Sequence, residues 1–388
     1  MTDLKDRLNA AMYTARRSAI REFTALAAET PGCLGLTLGE PDFDTPEPVK
    51  AALMEAVARG ETHYIANSGA LPLREKIAGF ERAVYGLTYA PDEIIVTAGA
   101  TEALFAALFG ILNPGDEVII PTPAFVLYEE TVRLCRGVPV FLDTAPAGFQ
   151  IDGDRLAALI TPRTKAIILN TPNNPTGCVY TRQSLDAVHA AVQEKPLFVI
   201  CDDVYRALVY GADYHSFAEY AEAREQIIVT QSFSKPYAMT GWRMGYLMAP
   251  AAVTERLALL HQYMITSTPA PFQRAAIAAL DADVSEMVGT FRARRDFVLT
   301  RLREIGLDFP EPLGAFYVFP SIEKFGLPSA DFCRRMIREA GLAATPGFCF
   351  GGEGHIRLSY SYGDEVLNEA MLRLERFINT LENESHGH

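Results

Sequence analysis

The sequence predicts an α/β protein in which a mostly parallel β-sheet, flanked by helices, forms the larger part and a smaller α+β domain forms the rest. Between about residues 90 and 250, short apolar runs alternate with helical patterns. Most of these runs end in polar or hydroxyl residues, and after about residue 285 a long charged amphipathic helix changes the pattern. Strands buried on both faces, with helical crossovers between them, are typical of parallel sheets.

The predicted elements follow in order along the chain. Short, mainly apolar runs indicate the strands, and apolar residues spaced three and four apart indicate the helices. Strands of the sheet are predicted at Glu93–Thr97, Glu117–Pro121, Val138–Asp143, Ala166–Leu169, Leu197–Asp202 and Ile227–Ser232, with helices at Thr101–Leu112 and Phe125–Arg136. Later elements are a helix at Val284–Ile305, a strand at Phe316–Pro320, a helix near Ser329–Ala340, a strand at Ile356–Ser359 and a helix ending at about Asn383. We expect a large domain over residues 46–285 and a small domain formed by residues 1–45 and 286–388.

Composition and charge argue against several classes of protein. Lys and Arg number 35 and Asp and Glu number 48, so the net charge of −13 disfavours nucleic acid and anionic membranes as partners. No apolar stretch is long enough to span a membrane, and no secretory signal is expected. The six cysteines form neither a CxxC pair nor a Cys/His cluster, which argues against a disulfide framework and a metal site. A reduced, cytoplasmic location is therefore expected.

Four polar segments follow predicted strands, at the positions where α/β sheets gather their ligands. Thr97–Thr101 joins a strand to a helix through small residues. Such a segment lets backbone N–H groups and a helix N-terminus approach an anion, although a tight turn accounts for it as well. Asn170–Gly177 combines prolines, asparagines and a glycine. It is either an ordinary turn or a stiff loop whose amides face a ligand.

The other two segments carry charge. Asp202 ends an apolar strand, and a buried carboxylate there either meets a cation or caps the following segment. Lys235 stands just past a buried strand among small, hydroxyl and apolar residues, which suits a Schiff-base amine of lowered pKa. The nearby Ser232, Ser234 and Arg243 offer hydroxyl groups and a guanidinium for a phosphate.

Three of these segments, in this order, resemble the class I and II aminotransferases of the fold-type-I pyridoxal 5′-phosphate (PLP) enzymes: Asn170–Gly177, Asp202–Tyr205 and Ser232–Gly245. Further blocks resemble the same family, so that the resemblance covers nearly the whole chain: Leu38–Phe43, His63–Tyr64 with Gly69, Gly314–Pro320, Pro346–Gly347 and Ile356–Ser359. The resemblance implies a seven-stranded, mostly parallel sheet in the large domain. It also implies a homodimer in which the two subunits share their active sites.

Each matching residue receives an implied role from the family. Lys235 matches the lysine that forms the internal aldimine and then moves a proton between substrate and cofactor. Asp202 matches the carboxylate that keeps the pyridine nitrogen protonated, and opposite this cation its pKa should be lowered. Asn174 and Tyr205 match the pair that hydrogen-bonds the phenolic oxygen, and Phe125 matches the aromatic ring that stacks on the cofactor. Lys235, Asp202 and Tyr205 are the predicted catalytic residues.

The remaining matches concern the phosphate and the substrate. The implied phosphate-binding residues are Gly99, Ala100, Thr101, Ser232, Ser234 and Arg243, joined by Tyr64 from the other subunit. Arg357 matches the arginine that binds the substrate α-carboxylate, together with Gly39 and Asn174. By itself Arg357 would be better explained by a surface ion pair, and it is its place in the Ile356–Ser359 block that favours the substrate-binding role. Asp203 and Ser361 stand where the family more commonly has Glu and Ala, which leaves the implied reaction unchanged.

These matches predict a homodimeric, cytoplasmic, PLP-dependent aminotransferase that moves an amino group between an L-amino acid and a 2-oxo acid by ping-pong kinetics. One alternative is a PLP-dependent carbon–sulfur β-lyase resembling the cystathionine lyases, which releases pyruvate and ammonia without an oxo-acid acceptor. A second alternative is a regulator that binds PLP without turnover. Such a regulator would carry a DNA-binding domain, and no helix-turn-helix pattern fits before residue 46.

The sequence also bears on the amino-group donor. In aspartate-specific members of the family, an arginine shortly before a Ser-Asn-Pro block binds the second carboxylate. The comparable stretch here, His261–Pro269, contains no arginine and has Tyr263 near that position. Neutral, aromatic or long acylated amino acids are therefore expected as donors. The string His261–Tyr263 also resembles the subgroup that includes aminotransferase A and the N-acetyl-diaminopimelate aminotransferases.

Overall fold

The computed structural model describes residues 7–9, 11–14 and 19–386. Its strands are β1 Leu34–Gly35, β2 Ile94–Thr97, β3 Glu117–Thr122, β4 Val138–Asp143, β5 Thr164–Asn170, β6 Phe198–Asp202, β7 Ile227–Ser232, β8 Gly245–Met248, β9 Tyr317–Val318, β10 Leu342–Ala343, β11 Thr345–Pro346 and β12 Ile356–Ser359. Its α-helices are α1 Ala11–Thr14, α2 Ala19–Glu29, α3 Glu47–Ala58, α4 Leu71–Tyr85, α5 Ala100–Ile111, α6 Leu127–Leu134, α7 Gly153–Leu159, α8 Arg182–Val192, α9 Ala251–Ile265, α10 Ala270–Ala279, α11 Ser285–Ile305, α12 Ser329–Ala340 and α13 Asp364–His386. The predicted elements are present, most with ends that differ by a few residues.

A seven-stranded sheet in the order β2-β8-β7-β6-β5-β3-β4 confirms the predicted fold class. The five strands β7, β6, β5, β3 and β4, in this spatial order, pair in parallel with their neighbours. Strand β8 runs antiparallel to both β2 and β7. Strand β8 was absent from the predicted elements because it has only four residues and begins with a glycine. Such a short run gives no clear pattern of its own.

Alternate residues of the central strands pack on opposite faces of this sheet. On β5, Ile167 and Leu169 belong to one apolar cluster and Ile168 belongs to the cluster on the other face. Helices cover both faces, and α5 lies against β7 and β8. Coverage on both sides explains why these strands are apolar runs rather than alternating ones.

Parallel pairing brings the polar strand ends together. Asn170 lies opposite Asp202 in the register of β5 and β6, and Asp202 lies opposite Thr230 of β7. Gly245, the first residue of β8, pairs with Ser232 on one side and with Thr97 on the other. All four polar segments singled out in the sequence therefore meet at one edge of the sheet, where α/β proteins bind their ligands.

The remaining strands form two small sheets. Strands β11, β12 and β9 make an antiparallel sheet, and β1 pairs in parallel with β10. Phe23 and Leu36 of the N-terminal segment lie in the same apolar cluster as Phe332 and Phe377. The N-terminal segment thus packs beside the C-terminal helices. Among the described residues, no helix combines the length and apolar character needed to cross a membrane.

Candidate active site

One cavity of about 240 Å³ opens at the carboxyl edge of the central sheet. The predicted site residues that line it are Gly39, Ala100, Thr101, Phe125, Asn174, Asp202, Tyr205, Ser232, Ser234, Lys235, Arg243 and Arg357. Two predicted residues do not line it. Gly99 lies just behind the wall against Arg243, and Tyr64 lies in a separate groove with His63.

Lys235 projects into the cavity from the turn between β7 and β8. Its Nζ donates a hydrogen bond of 2.5 Å to the backbone carbonyl of Gly39. Burial lowers the pKa of this amine to about 8, while Glu40 raises it and the Arg357 and Arg243 guanidinium groups lower it further. This lowered pKa makes the amine lose its proton more readily than an ordinary lysine, and the uncharged form is a nucleophile and a proton acceptor.

Asp202, the last residue of β6, is the buried carboxylate of the site. Its side chain is 3% exposed, and Oδ2 accepts a hydrogen bond of 2.6 Å from the Tyr128 hydroxyl. Its Oδ1 has no hydrogen-bond partner in the described part of the chain. Burial raises the pKa of Asp202 to about 7, the Tyr128 hydrogen bond opposes this rise, and the Asp203 carboxylate adds to it. Within the protein the pKa of Asp202 therefore shifts in the direction opposite to the lowering expected opposite a pyridinium, because burial disfavours the charged form and the Asp203 carboxylate adds to this effect.

Arg357 lies on the other side of the cavity and is buried, not part of a surface ion pair. Its side chain donates from Nη1 to Asn174 Oδ1 at 2.8 Å and from Nη2 to the Thr37 carbonyl at 2.5 Å. Its guanidinium also lies 4.5 Å from the ring centre of Tyr317. No carboxylate of the described residues pairs with it, so the pocket holds a desolvated cation that an anion would neutralise.

A second cationic region is built where β2 meets α5. The helix begins at Ala100 and directs its first backbone N–H groups toward the cavity. Arg243 extends beside it, and a Cβ atom on Gly99 would lie only 2.6 Å from its Nη2. Gly99 has a φ of +81°, so a glycine is needed here for both space and backbone conformation. With the hydroxyls of Ser232 and Ser234, these groups form a binding site suited to a phosphate.

The sequence matches the family described as aminotransferase class I and II over residues 31–374. The chain belongs to this family. An aromatic-amino-acid aminotransferase 2 from Thermococcus litoralis is 40% identical over 93% of this chain and 95% of its own length. A probable N-acetyl-LL-diaminopimelate aminotransferase from Bacillus subtilis is 39% identical over 93% of each chain. A structure of the Thermus thermophilus aspartate aminotransferase with maleate superposes with a TM-score of 0.91 at 37% identity, over 95% of this chain and 99% of that one.

The chain is thus an aminotransferase, and the relatives give no support to the carbon–sulfur lyase alternative. Its fold is that of the fold-type-I aminotransferases, as the motifs predicted.

Tyr128 and Tyr317, which have no role predicted from the sequence, both contact residues of this aminotransferase site. Tyr128 lies three residues after Phe125, and its N–H donates a hydrogen bond of 3.1 Å to the Phe125 carbonyl in the turn that leads into α6. This turn places both rings in the wall of the cavity. Tyr317 shares a hydrogen bond of 2.9 Å with the Tyr205 hydroxyl. The hydroxyl of Tyr317 also fills the space next to Gly39, where an added Cβ would lie 1.8 Å away. The three-residue spacing between Phe125 and Tyr128 is the feature of the sequence from which a place for Tyr128 in the site could have been predicted.

Proposed function

We propose that this aminotransferase binds PLP in the cavity at the sheet edge and uses Lys235, Asp202 and Tyr205 as its catalytic residues. The observation that carries the proposal is the pairing of a buried amine of lowered pKa with a buried carboxylate whose Oδ1 lacks a partner. A ring nitrogen that carries a proton satisfies that oxygen and, as a cation, lowers the pKa of Asp202 from its raised value. The residues therefore fit this cofactor.

Each part of PLP has a group of the protein to hold it. Lys235 would bind the aldehyde carbon, Asn174 and Tyr205 the phenolic oxygen, and Phe125 one face of the ring. Residues Gly99, Ala100, Thr101, Ser232, Ser234 and Arg243 would bind the phosphate. When bound, PLP supplies an aldehyde for the amino group and a ring that accepts electrons from the substrate carbon.

The substrate is oriented by Arg357, Asn174 and the backbone of Gly39. A guanidinium binds an α-carboxylate through two parallel hydrogen bonds, which fixes the Cα–H bond relative to Lys235. The amino group of the substrate would replace Lys235 on the aldehyde carbon, which frees the lysine amine to take the proton from Cα and to return it on the cofactor side. One cavity serves both the amino acid and the 2-oxo acid, so the two bind in turn and the kinetics are ping-pong.

Borohydride reduction of the holoenzyme tests this assignment. We expect peptide mapping to find the pyridoxyl group on Lys235, because its amine faces the cavity and its pKa is lowered to about 8. The Lys235→Ala variant treated in the same way should carry no label. A label on a different lysine in the wild-type enzyme would contradict the proposal.

We also propose that the donors are neutral, aromatic or long acylated amino acids. The basic residues that line the cavity within the described chain are Lys235, Arg243 and Arg357, and each already has a proposed role. None remains for a second carboxylate, whereas Ile20, Leu104 and Leu127 provide apolar lining.

The donor proposal is tested with a panel of amino acids and 2-oxoglutarate as acceptor. We expect aromatic or acylated donors to have the highest kcat/KM. A preference for aspartate by tenfold, about 1.4 kcal/mol at the transition state, would contradict it.

Three further features of the whole protein are proposed. A cytoplasmic location is supported by its six cysteines, all of which are free thiols. The division into residues 46–285 and residues 1–45 with 286–388 is supported by two apolar clusters. The first lies within residues 46–285, and the second consists mostly of residues from the other two segments, joined by Tyr205, Leu208 and Tyr210. A homodimer is supported by the exposed rings of Tyr64 and Tyr263, which are 89% and 85% accessible in the single chain. In this dimer, Tyr64 would reach the phosphate bound by the other subunit.

A further inference from the structure

A buried histidine–carboxylate pair lies directly behind the phosphate-binding region. His261 on α9 places Nδ1 2.6 Å from Oε1 of Glu102, in the first turn of α5. Both side chains are buried, and neither residue lines the cavity. The roles proposed above leave this pair unexplained.

The second oxygen of Glu102 reaches the loop before α5. Its Oε2 accepts a hydrogen bond from the backbone N–H of Ala98, and the Ala98 carbonyl accepts a long hydrogen bond of 3.5 Å from Arg243 Nη2. The backbone of one residue is therefore held by a carboxylate at its N–H and by the phosphate-binding guanidinium at its carbonyl. Gly99 follows and donates its own N–H to the Thr97 carbonyl at 2.8 Å. Ala100 comes next, so the position of Ala98 helps to set where the first N–H groups of α5 point.

His261 holds Glu102 in this position. Since an ionised carboxylate can only accept hydrogen bonds, Nδ1 of His261 carries the proton of the shared bond. Nε2 of His261 has no hydrogen-bond partner among the described residues, so the ring is anchored by Nδ1.

We propose that His261 is a positioning residue for the phosphate of the cofactor and acts through Glu102 and the backbone of Ala98. The inference rests on the proposed function, because it requires the phosphate at the N-terminus of α5. Without the His261 donor, the carboxylate loses its anchor, and the loop that presents the N–H groups loosens. Asp202 and Lys235, which face the ring, follow other strands and keep their positions.

Comparing PLP with pyridoxal, which lacks the phosphate, tests this role. Dissociation constants for both are measured with the full-length chain freed of cofactor. We expect His261→Leu to raise the dissociation constant for PLP by about tenfold to a hundredfold, which is the effect of losing a hydrogen bond to a charged group. The dissociation constant for pyridoxal should rise by less than about twofold. His261→Asn should restore most of the affinity for PLP, because its amide nitrogen can take the place of Nδ1. The matched control is His189→Gln, which changes the pair formed by His189 of α8 and Glu222 and should leave both constants unchanged.

The outcomes separate this role from a structural one. Equal weakening of PLP and pyridoxal by His261→Leu would show a general loss of structure and overturn the proposal, and so would unchanged binding of both. If His261→Leu does not fold, Glu102→Ala decides, because it removes the acceptor of the Ala98 N–H and carries the same expectation. A wild-type chain that fails to bind PLP would overturn the proposed function together with this inference, whereas unchanged discrimination in the variants overturns the inference alone.

Discussion

Replacing Asp202 with asparagine is expected to lower kcat by about 10²-fold to nearly 10⁴-fold while PLP stays bound through its phosphate contacts. Asparagine keeps the shape of the side chain and the contact with the Tyr128 hydroxyl. It cannot hold a proton on the ring nitrogen, so the ring accepts electrons less readily. Breaking a buried charged pair costs about 3–5 kcal/mol, and about 1.4 kcal/mol corresponds to a factor of ten in rate.

Stopped-flow measurement of the first half-reaction gives the rate, and absorbance gives the bound cofactor. Asp203→Asn is the matched control, because Asp203 is equally buried and adjacent in the chain but does not line the cavity. Its carboxylate accepts a hydrogen bond of 2.6 Å from Ser216 instead. We expect that variant to change kcat less than tenfold. Wild-type turnover by Asp202→Asn would show that the carboxylate does not serve the ring.

Mixed dimers of two inactive variants are expected to recover about a quarter of the wild-type activity per chain. Tyr64→Glu places a carboxylate where the proposed dimer needs a phosphate ligand, and Lys235→Ala removes the reactive amine. If Tyr64 serves the other subunit, half of the randomly mixed dimers have one site with both an intact lysine and an intact tyrosine. The other site of such a dimer carries both lesions and stays inactive.

Differently tagged chains, refolded together, establish that mixed dimers form. Asp202→Asn mixed with Lys235→Ala is the control, because both residues line the cavity of their own chain and every site retains one lesion. That mixture should show no recovery. The absence of recovery in the Tyr64→Glu mixture would assign Tyr64 to its own subunit. A molar mass from light scattering that corresponds to a monomer would remove the basis of the experiment.

The sequence predicted the sheet and most of the site because both depend on local pattern. Apolar runs that end at Asn170, Asp202 and Ser232 identify parallel strands and also place their polar ends at one edge. Family motifs then gave roles to residues of the cavity. The burial of Arg357 could not be read from its neighbours in the chain, because it depends on Asn174 and Thr37, which are distant in sequence.

The pair of His261 and Glu102 shows the same limit more clearly. Their contact joins two helices that are separated by most of the sheet in the sequence. The sequence marked His261 only through its likeness to a subgroup of the family, without a physical role. Tyr128 could have been inferred from helical spacing, whereas its hydrogen bond to Asp202 required the relative placement of α6 and β6.

The antiparallel strand β8 has a consequence for how the chain folds as it is synthesised. Strand β2 lies at the edge of the sheet, and its neighbour there is β8, which the ribosome produces much later. Until then the apolar segment Ile94–Thr97 has no strand partner, and an unpaired apolar edge favours aggregation. The phosphate-binding region also needs β8, because Gly245 joins the backbone near Gly99 to Ser232. Nascent chains that stop before residue 245 would therefore depend on chaperones and could not yet retain the cofactor.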